Sequence, residues 1–302
     1  MGDPSRQLNC YKPSGAAPFG GVVATLLAGT AAGSLLGAVY AFANYHIPLI
    51  YLNVLLVALL GCVLGKIVSK CVHKFQIRNV IMAAVMGFVA FSASYAAHWF
   101  FYISTVLIDW ETDSPYDIAA IIDLALSLTQ NPADAFELIQ ELNEEGVWSI
   151  TGSSGNNTGL APTGIALALL WAAEAIVICF YSVKEPIEEA GKPFSERMDR
   201  WLTAQEIPTP IAFIENVGDF VNAVARNDYS ALTTPLPKAG EELPEDGKRA
   251  TVVMYPDSME SYISVKNLYE KKKKKKDRKT KEVIRYMKVP PEVAQKIIAS
   301  LA

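Results

Sequence analysis

The sequence predicts an α-helical integral membrane protein with four transmembrane helices, an external helical cap and a small cytoplasmic α+β domain. The prediction depends on four long apolar runs, an acidic stretch between the last two of them, and a charged C-terminal third. A helix of roughly 20 apolar residues crosses about 30 Å of hydrocarbon. The alternative, buried helices of a soluble protein, is disfavoured because such helices rarely stay apolar on every face for so long. The runs are Phe19–Ala43, Leu49–Val68, Val80–Ile108 and Ile165–Val183.

Charge is segregated along the chain, although the formal net charge is only −4. No lysine or arginine occurs from Asn79 through Val183, where eleven carboxylates fall. Basic residues crowd the connection between the second and third runs, and 21 of the 27 basic residues follow Val183. Because basic segments stay on the cytoplasmic side, we expect a multi-pass protein of the cell membrane with both termini cytoplasmic.

This topology divides the chain into five predicted parts. Residues 1–18 form a cytoplasmic N-terminal segment, and residues 19–108 contain transmembrane helices one to three. Residues 109–164 form an external acidic helical loop, and residues 165–183 form transmembrane helix four. Residues 184–302 form a cytoplasmic α+β domain with a lysine-rich hairpin tip.

The first two transmembrane helices carry glycines at four-residue spacing. Residues four apart share one face of a helix, so the glycines form a ridge without side chains, to which another helix can pack closely. The glycines of the two helices lie at matching depths below their shared break, so we expect Gly33 to lie near Gly61. A second protomer is the alternative neighbour for the ridge. Its members are Gly29, Gly33, Gly37, Gly61 and Gly65.

Polar residues near the external ends of the helices have a simple interpretation. Asn44, His46 and Asn53 lie at or near the break between the first two helices. We expect them to cap the backbone and to be solvated at the membrane interface.

The external loop is predicted to contain two helices. Ser114, Pro115 and Asp117 start the first, and apolar residues follow at helical spacing. Asn131-Pro132 starts the second, which ends near Gly146.

The cytoplasmic part begins with a charged, amphipathic connector, Lys184–Glu206, in which Trp201-Leu202 is a candidate membrane-surface contact. The apolar spacing in Pro210–Arg226 predicts a helix, and Pro290-Pro291-Glu292 starts a final one. Short strands are predicted at Thr251–Tyr255, Ser261–Tyr269 and Glu282–Val289.

The lysine run between the last two predicted strands has three interpretations. It is a solvated hairpin tip, a contact with anionic lipid headgroups, or a nucleic-acid contact. Nucleic acid is disfavoured because the run lacks neighbouring aromatic residues and a folded basic surface. The candidate lipid contacts are Lys271, Lys272, Lys273, Lys274, Lys275 and Lys276.

Glu174 is the only carboxylate that falls fully inside an apolar run. An ionised glutamate facing lipid is costly, so we expect Glu174 to face the bundle interior, with His98 as its most plausible ionisable partner. One interpretation is a neutral carboxyl that is hydrogen-bonded to a neighbouring helix. The other is a proton or cation pathway.

Motifs for catalysis, cofactors and metals are not found. The sequence has no glycine-rich phosphate loop, HExxH motif or GxSxG elbow, and its three histidines are scattered. Its four cysteines show no CxxC spacing, and none lies in the external loop. We therefore expect no cofactor, no metal and no disulfide framework.

Three stretches resemble a family of bacterial multispanning inner-membrane proteins without an assigned function. They are Tyr11–Gly15, Ile47–Asn53 and Gly146–Ile150, and the resemblance reaches Pro193–Glu196. It implies a bacterial inner-membrane setting and supplies no activity or site.

The expected function is a non-enzymatic membrane anchor or scaffold that links the acidic cap to a cytoplasmic interaction domain. We expect it to self-associate or to act within a membrane complex, surrounded by the lipid bilayer. The alternative is a small channel or transporter subunit that uses Glu174, and an enzyme with an unrecognised site is a third possibility. The large soluble parts and the lack of repeated broken helices favour the scaffold.

Overall fold

A computed structural model describes residues 9–47, 50–112, 116–146, 162–236, 248–270 and 278–301. The chain divides into two compact units. Ser14–Gly191 is called the helical unit below, and Met1–Pro13 together with Lys192–Ala302 is called the α+β unit. The protein is mostly helical with a small sheet region, as the sequence predicts.

Four helices of the helical unit are long and apolar enough to cross a membrane, and two shorter ones lie between the third and fourth. The four long helices predicted from the apolar runs are therefore present. The helices are α1 Phe19–His46, α2 Ile50–Lys74, α3 Val80–Thr112, α4 Ile118–Gln130, α5 Pro132–Glu145 and α6 Gly164–Ala190.

The helix α6 runs further than its predicted end at Val183. It continues to Ala190 with Pro186 inside it. Its final turns are charged, and Lys184 pairs with Glu188 at 3.7 Å, four residues on. An apolar run predicts only the part of a helix that is apolar, whereas backbone hydrogen bonding continues into the charged turns beyond it.

The glycine ridges pack, but against partners other than those predicted. A Cβ added at Gly33 would lie 2.5 Å from the carbonyl oxygen of Ala90, so α1 meets α3 there. A Cβ added at Gly65 would lie 2.5 Å from the carbonyl oxygen of Tyr181, so α2 meets α6. The predicted pairing of Gly33 with Gly61 is wrong, because Gly61 faces Ile178 of α6. Matching depth aligns two glycines along the membrane normal, but it does not decide which helix each one faces.

The two helices predicted between the third and fourth apolar runs are confirmed. The Asp117 side chain accepts a hydrogen bond from the Ala120 amide at 3.1 Å and caps α4. Pro132 lies in the first turn of α5, and Gly146 ends that helix with a φ of 85°. Leu128 of α4 and Leu142 of α5 lie in a buried cluster with residues of α3, so both helices pack onto the bundle.

The α+β unit is built on an antiparallel sheet of four strands in the order β3-β4-β5-β6. Its three long strands and its last helix lie where the sequence predicts them. The strands are β1 Phe194–Ser195, β2 Arg200–Trp201, β3 Gln205–Glu206, β4 Arg249–Tyr255, β5 Ser261–Glu270 and β6 Arg278–Val289, and the helices are α7 Val217–Ala225, α8 Ser230–Thr233 and α9 Pro291–Leu301.

Side chains alternate across this sheet. Ala250, Val252 and Met254 of β4 are buried while their neighbours along the strand are partly exposed. Phe220 of α7 and Ile297 of α9 lie in the same buried cluster as these strand residues. The sheet and both helices therefore share one core.

Two predictions for the start of the α+β unit are wrong. Residues 194–201 of the connector form a hairpin in which β1 pairs with β2, and Leu202 is buried, so Leu202 is not a membrane-surface contact. Trp201 is partly buried, and its ring packs edge to face on that of Phe194 at 5.1 Å. The predicted helix Pro210–Arg226 begins only at Val217, capped by Asn216. Ahead of that cap, Ile211 pairs with Ala250 of β4, so its side chain is buried through sheet pairing.

The N-terminal segment joins the sheet. Cys10 forms an antiparallel β-bridge with Met287 of β6. The Tyr11 amide donates to the Tyr286 carbonyl at 2.8 Å, and the Lys288 amide donates to the Asn9 carbonyl at 2.8 Å. Residues 9–11 of the predicted N-terminal segment are therefore an additional edge of the α+β unit.

Candidate functional site

Each of the four long helices contributes one polar side chain to a cluster within the bundle. Tyr40 comes from α1, Asn53 from α2, His98 from α3 and Glu174 from α6. Val57, Ala97 and Ile178 are buried nearby along α2, α3 and α6. The cluster is called the polar cluster below.

A chain of hydrogen bonds joins three of these residues. The Tyr40 hydroxyl donates to Oδ1 of Asn53 at 2.7 Å. Nδ2 of Asn53 donates to Oε1 of Glu174 at 2.7 Å. The side-chain oxygen of Asn53 accepts from Tyr40 and its nitrogen donates to Glu174, so both ends of the amide have a partner. The chain therefore links α1, α2 and α6.

His98, the predicted partner of Glu174, belongs to the cluster but makes no hydrogen bond to Glu174. It is 3% exposed, and its ring centroid lies 4.6 Å from that of Tyr40. Its Nδ1 has no hydrogen-bond partner among the described residues. The hydrogen-bond partner of Glu174 is Asn53 instead of His98.

The sequence analysis does not predict Tyr40 as part of this site, and it predicts a different role for Asn53. The expectation was a capping or solvated side chain at the external end of α2, yet Asn53 is only 8% exposed and bonds two other helices. A signal existed, because an asparagine four residues into an apolar run needs partners for both ends of its amide.

Aromatic rings enclose the polar cluster. Trp99 and Trp171 meet edge to face with centroids 4.7 Å apart, and the His98 ring lies 5.4 Å from Trp99 and 5.8 Å from Tyr102. The Tyr95 hydroxyl donates to the Trp171 carbonyl at 3.3 Å. These rings pack α3 against α6 beside His98.

Two further polar contacts mark the ends of the bundle. Tyr45, near the end of α1, donates a hydrogen bond to the Asp109 carboxylate of α3. At the opposite end, Nδ1 of His73 lies 2.7 Å from Oε1 of Glu189, joining α2 to α6. The polar cluster lies between these levels, because each of its helices continues in both directions.

The chemistry available to the polar cluster is proton binding and hydrogen bonding. Glu174 is its one carboxylate, and the Asn53 amide already donates to it. In the part of the chain that the structure describes, no group of three or more His, Cys, Asp or Glu residues could hold a metal ion. The lysines 271–276 lie outside the described residues, so their contact with lipid stays a prediction.

The fold and the site together define a class: a mostly helical protein with four helices suited to a membrane, a polar chain among them and a small α+β unit. No family model, curated protein or solved structure matches the chain. The resemblance to bacterial multispanning membrane proteins therefore stays a prediction.

Proposed function

We propose that the protein is a non-enzymatic integral membrane anchor or scaffold, which holds its α+β unit at the cytoplasmic face of the cell membrane. The proposal depends on one observation: the α+β unit contains chain segments from before α1 and from after α6. Residues 9–11 precede α1 and pair with β6, while Lys192 follows α6 and begins the rest of the unit. A domain attached at two points is held more closely than one on a single linker, because the second link fixes a second distance.

Charge supports the proposed orientation. Lys66, Lys70 and Lys74 lie on the last turns of α2, and Arg78 follows them. The opposite end of the bundle carries the acidic α4 and α5 segment, which contains no lysine or arginine. The positive-inside preference then makes the basic end cytoplasmic. Four crossings return the chain to its starting side, in agreement with the pairing of residues 9–11 and β6.

The proposed partners are the bilayer, anionic headgroups at lysines 271–276, and either a second copy or another subunit of a membrane complex. Six consecutive lysines near an anionic leaflet contribute about 1 kcal/mol each. A bacterial inner membrane is the setting that the family resemblance implies.

The test is the native size of the full chain in mild detergent, together with identification of co-purifying proteins. A stable homo-oligomer or hetero-complex supports a scaffold, whereas a monomer without partners contradicts it. Reconstitution of the same preparation in liposomes gives a second readout. Ion flux above that of protein-free liposomes would overturn the non-transport role.

A channel or transporter subunit is the second candidate, and the Tyr40–Asn53–Glu174 chain favours it. Glu174→Gln separates the two candidates because glutamine keeps the shape and accepts the Asn53 hydrogen bond but does not titrate in this range. A transport role predicts normal assembly with lost flux. A structural role predicts normal assembly and no flux in either protein.

A further inference from the structure

The short helix α4 has a wider apolar surface than its packing uses. At 100° per residue, six of its apolar side chains cover a continuous arc of about 160°. One half of the arc is buried against the bundle: Ile121, Ala125 and Leu128. The other half is exposed: Ile118 at 61%, Ile122 at 39% and Leu126 at 55%. These last three residues are called the α4 stripe below.

A polar flank lies beside the α4 stripe. Asp123, Ser127 and Gln130 are exposed there. Thr129 is the one polar residue on the stripe side, and its hydroxyl donates to the Leu126 carbonyl at 2.7 Å, so it needs no further partner. The helix thus has three sides: one against protein, one apolar and one polar.

The α4 helix lies along the side of the bundle rather than beyond its end. Tyr116, just before α4, has its ring 5.2 Å from that of His46 at the end of α1. Leu128, near the end of α4, lies in one buried cluster with Trp99 and Tyr102 of α3. These two residues precede Asp109 by about two to three helical turns. The stripe therefore lies at the level of the outer turns of the long helices.

Other contacts agree on this level. The Asn143 side chain at the end of α5 donates to the carbonyl of Gly164, the first residue of α6, at 3.0 Å. The exposed aromatic residues Trp110 and Tyr116 flank the start of α4. Tyrosine and tryptophan at such positions are typical of a membrane–water interface.

Charge argues against a second copy as the occupant of the stripe. Residues 109–164 contain ten carboxylates and no lysine or arginine. Two copies meeting through this face would bring like charges together in the contact, which is destabilising. Lipid chains carry no such penalty for an apolar stripe.

We propose that the α4 stripe docks into the outer leaflet at the boundary between headgroups and acyl chains, so that α4 is an interfacial membrane helix beside the bundle. Helices of this kind bury an apolar face 5–10 Å into that boundary and keep a polar face in water. The inference rests on the proposed membrane insertion of the four long helices. Because the contact is apolar, it does not depend on anionic lipid.

The test is spin labelling of the full chain in phosphatidylcholine nanodiscs, with collision rates measured for oxygen and for a water-soluble nickel chelate. The native cysteines Cys10, Cys62, Cys71 and Cys179 are first replaced by alanine. Single labels replace Ile122 and Leu126 on the stripe, with Asp123 and Ser127 of the same helix as matched controls. Leu35 and Phe88, exposed on α1 and α3, report membrane insertion itself.

The expected result is an oxygen-to-nickel ratio at Ile122 and Leu126 several-fold above that at Asp123 and Ser127, and close to that at Leu35. Preferential nickel access at the stripe would overturn the proposal, as would protection from both reagents, which would mean that protein covers it. If Leu35 and Phe88 also favour nickel, the membrane insertion of the long helices fails instead.

Discussion

At the scale of single residues, Asn53 decides whether the polar chain exists. Its side-chain amide has a hydrogen-bond partner at each end, with Tyr40 on one side and Glu174 on the other. The polar chain is therefore more sensitive to the amide than to the charge of the carboxylate.

Replacing Asn53 by leucine is expected to lower the free energy of unfolding in detergent by about 1–4 kcal/mol, since each interhelical hydrogen bond contributes about 0.6–2 kcal/mol. Glu174→Gln keeps an acceptor for Asn53 and should cost less than about 1 kcal/mol. Thermal unfolding measures both variants, and Asn44→Leu controls for loss of an amide outside the polar chain. Equal destabilisation by Glu174→Gln and Asn53→Leu would contradict this ranking.

Glu260 provides a pH prediction in the α+β unit. Nζ of Lys288 donates to one of its carboxylate oxygens at 2.6 Å and the Tyr262 hydroxyl to the other at 2.9 Å, which lowers the pKa of Glu260. A lowered carboxyl pKa stabilises the fold above the ordinary value and loses that contribution as pH falls through the lowered pKa. Both ion-pair side chains are more than one-third exposed, so the contribution is at most about 1 kcal/mol.

Lys288→Met and Tyr262→Phe should each raise the pKa of Glu260 toward its ordinary value. A carbon-13 NMR titration of labelled glutamates in the full chain measures it, with Glu260→Gln identifying the signal. Two titration curves identical to that of the unmodified protein would count against the assigned contacts.

At the scale of helices and strands, close backbone approach sets the pairing of the bundle. Gly33 and Gly37 fit against Ala90 and Ser94 of α3, while Gly65 fits against Tyr181 of α6. Without a hydrophobic driving force between helices in lipid, such close packing is a main source of association.

Gly33→Ala is expected to destabilise the protein by about 1–3 kcal/mol, the usual cost of overpacking, because its Cβ would meet a backbone carbonyl that has little room to move. Gly20→Ala is the matched control, since a Cβ at Gly20 has nothing within 4 Å. Unfolding midpoints in one detergent measure both. Equal midpoints for Gly33→Ala and Gly20→Ala would contradict the close packing of Gly33 against α3.

The edge formed by residues 9–11 gives a prediction for β6. Tyr11→Pro removes the amide that donates to Tyr286, so exchange of the neighbouring Lys288 amide should become faster. Hydrogen exchange with mass spectrometry of the β6 peptide measures this change. Tyr11→Phe keeps the backbone donor and should leave exchange unaltered; faster exchange in that variant would mean that the hydroxyl, not the strand pairing, protects β6.

The local sequence pattern predicts the helices and strands, whereas tertiary contacts decide which of them pack together. Apolar runs and strand alternation indicate the long helices and β4 to β6, since each signal lies within the element itself. The partner of Gly33 and the role of Asn53 depend on a second helix far along the chain. Cys10 pairs with Met287 through backbone atoms, which leave no pattern in the side chains. Ile211 fits helical spacing yet is buried by a bridge to Ala250.

At the scale of the whole molecule, the segments before and after the helical unit belong to one α+β unit. Residues 9–11 and 192–302 belong to that unit, while α4 and α5 belong to the helical unit. An even number of crossings brings both chain ends to one side. The proposed function requires that the four long helices cross a membrane, with both chain ends on the cytoplasmic side and α4 on the outside.

The most direct test of that claim is labelling of single cysteines in intact cells with a thiol reagent that does not cross membranes. In the background without native cysteines, Ser127→Cys on α4 and Lys296→Cys on α9 introduce exposed sites. We expect Ser127→Cys to react in intact cells and Lys296→Cys to react only after the membrane is permeabilised. Reaction of both sites, or of neither, before permeabilisation would contradict a membrane between them.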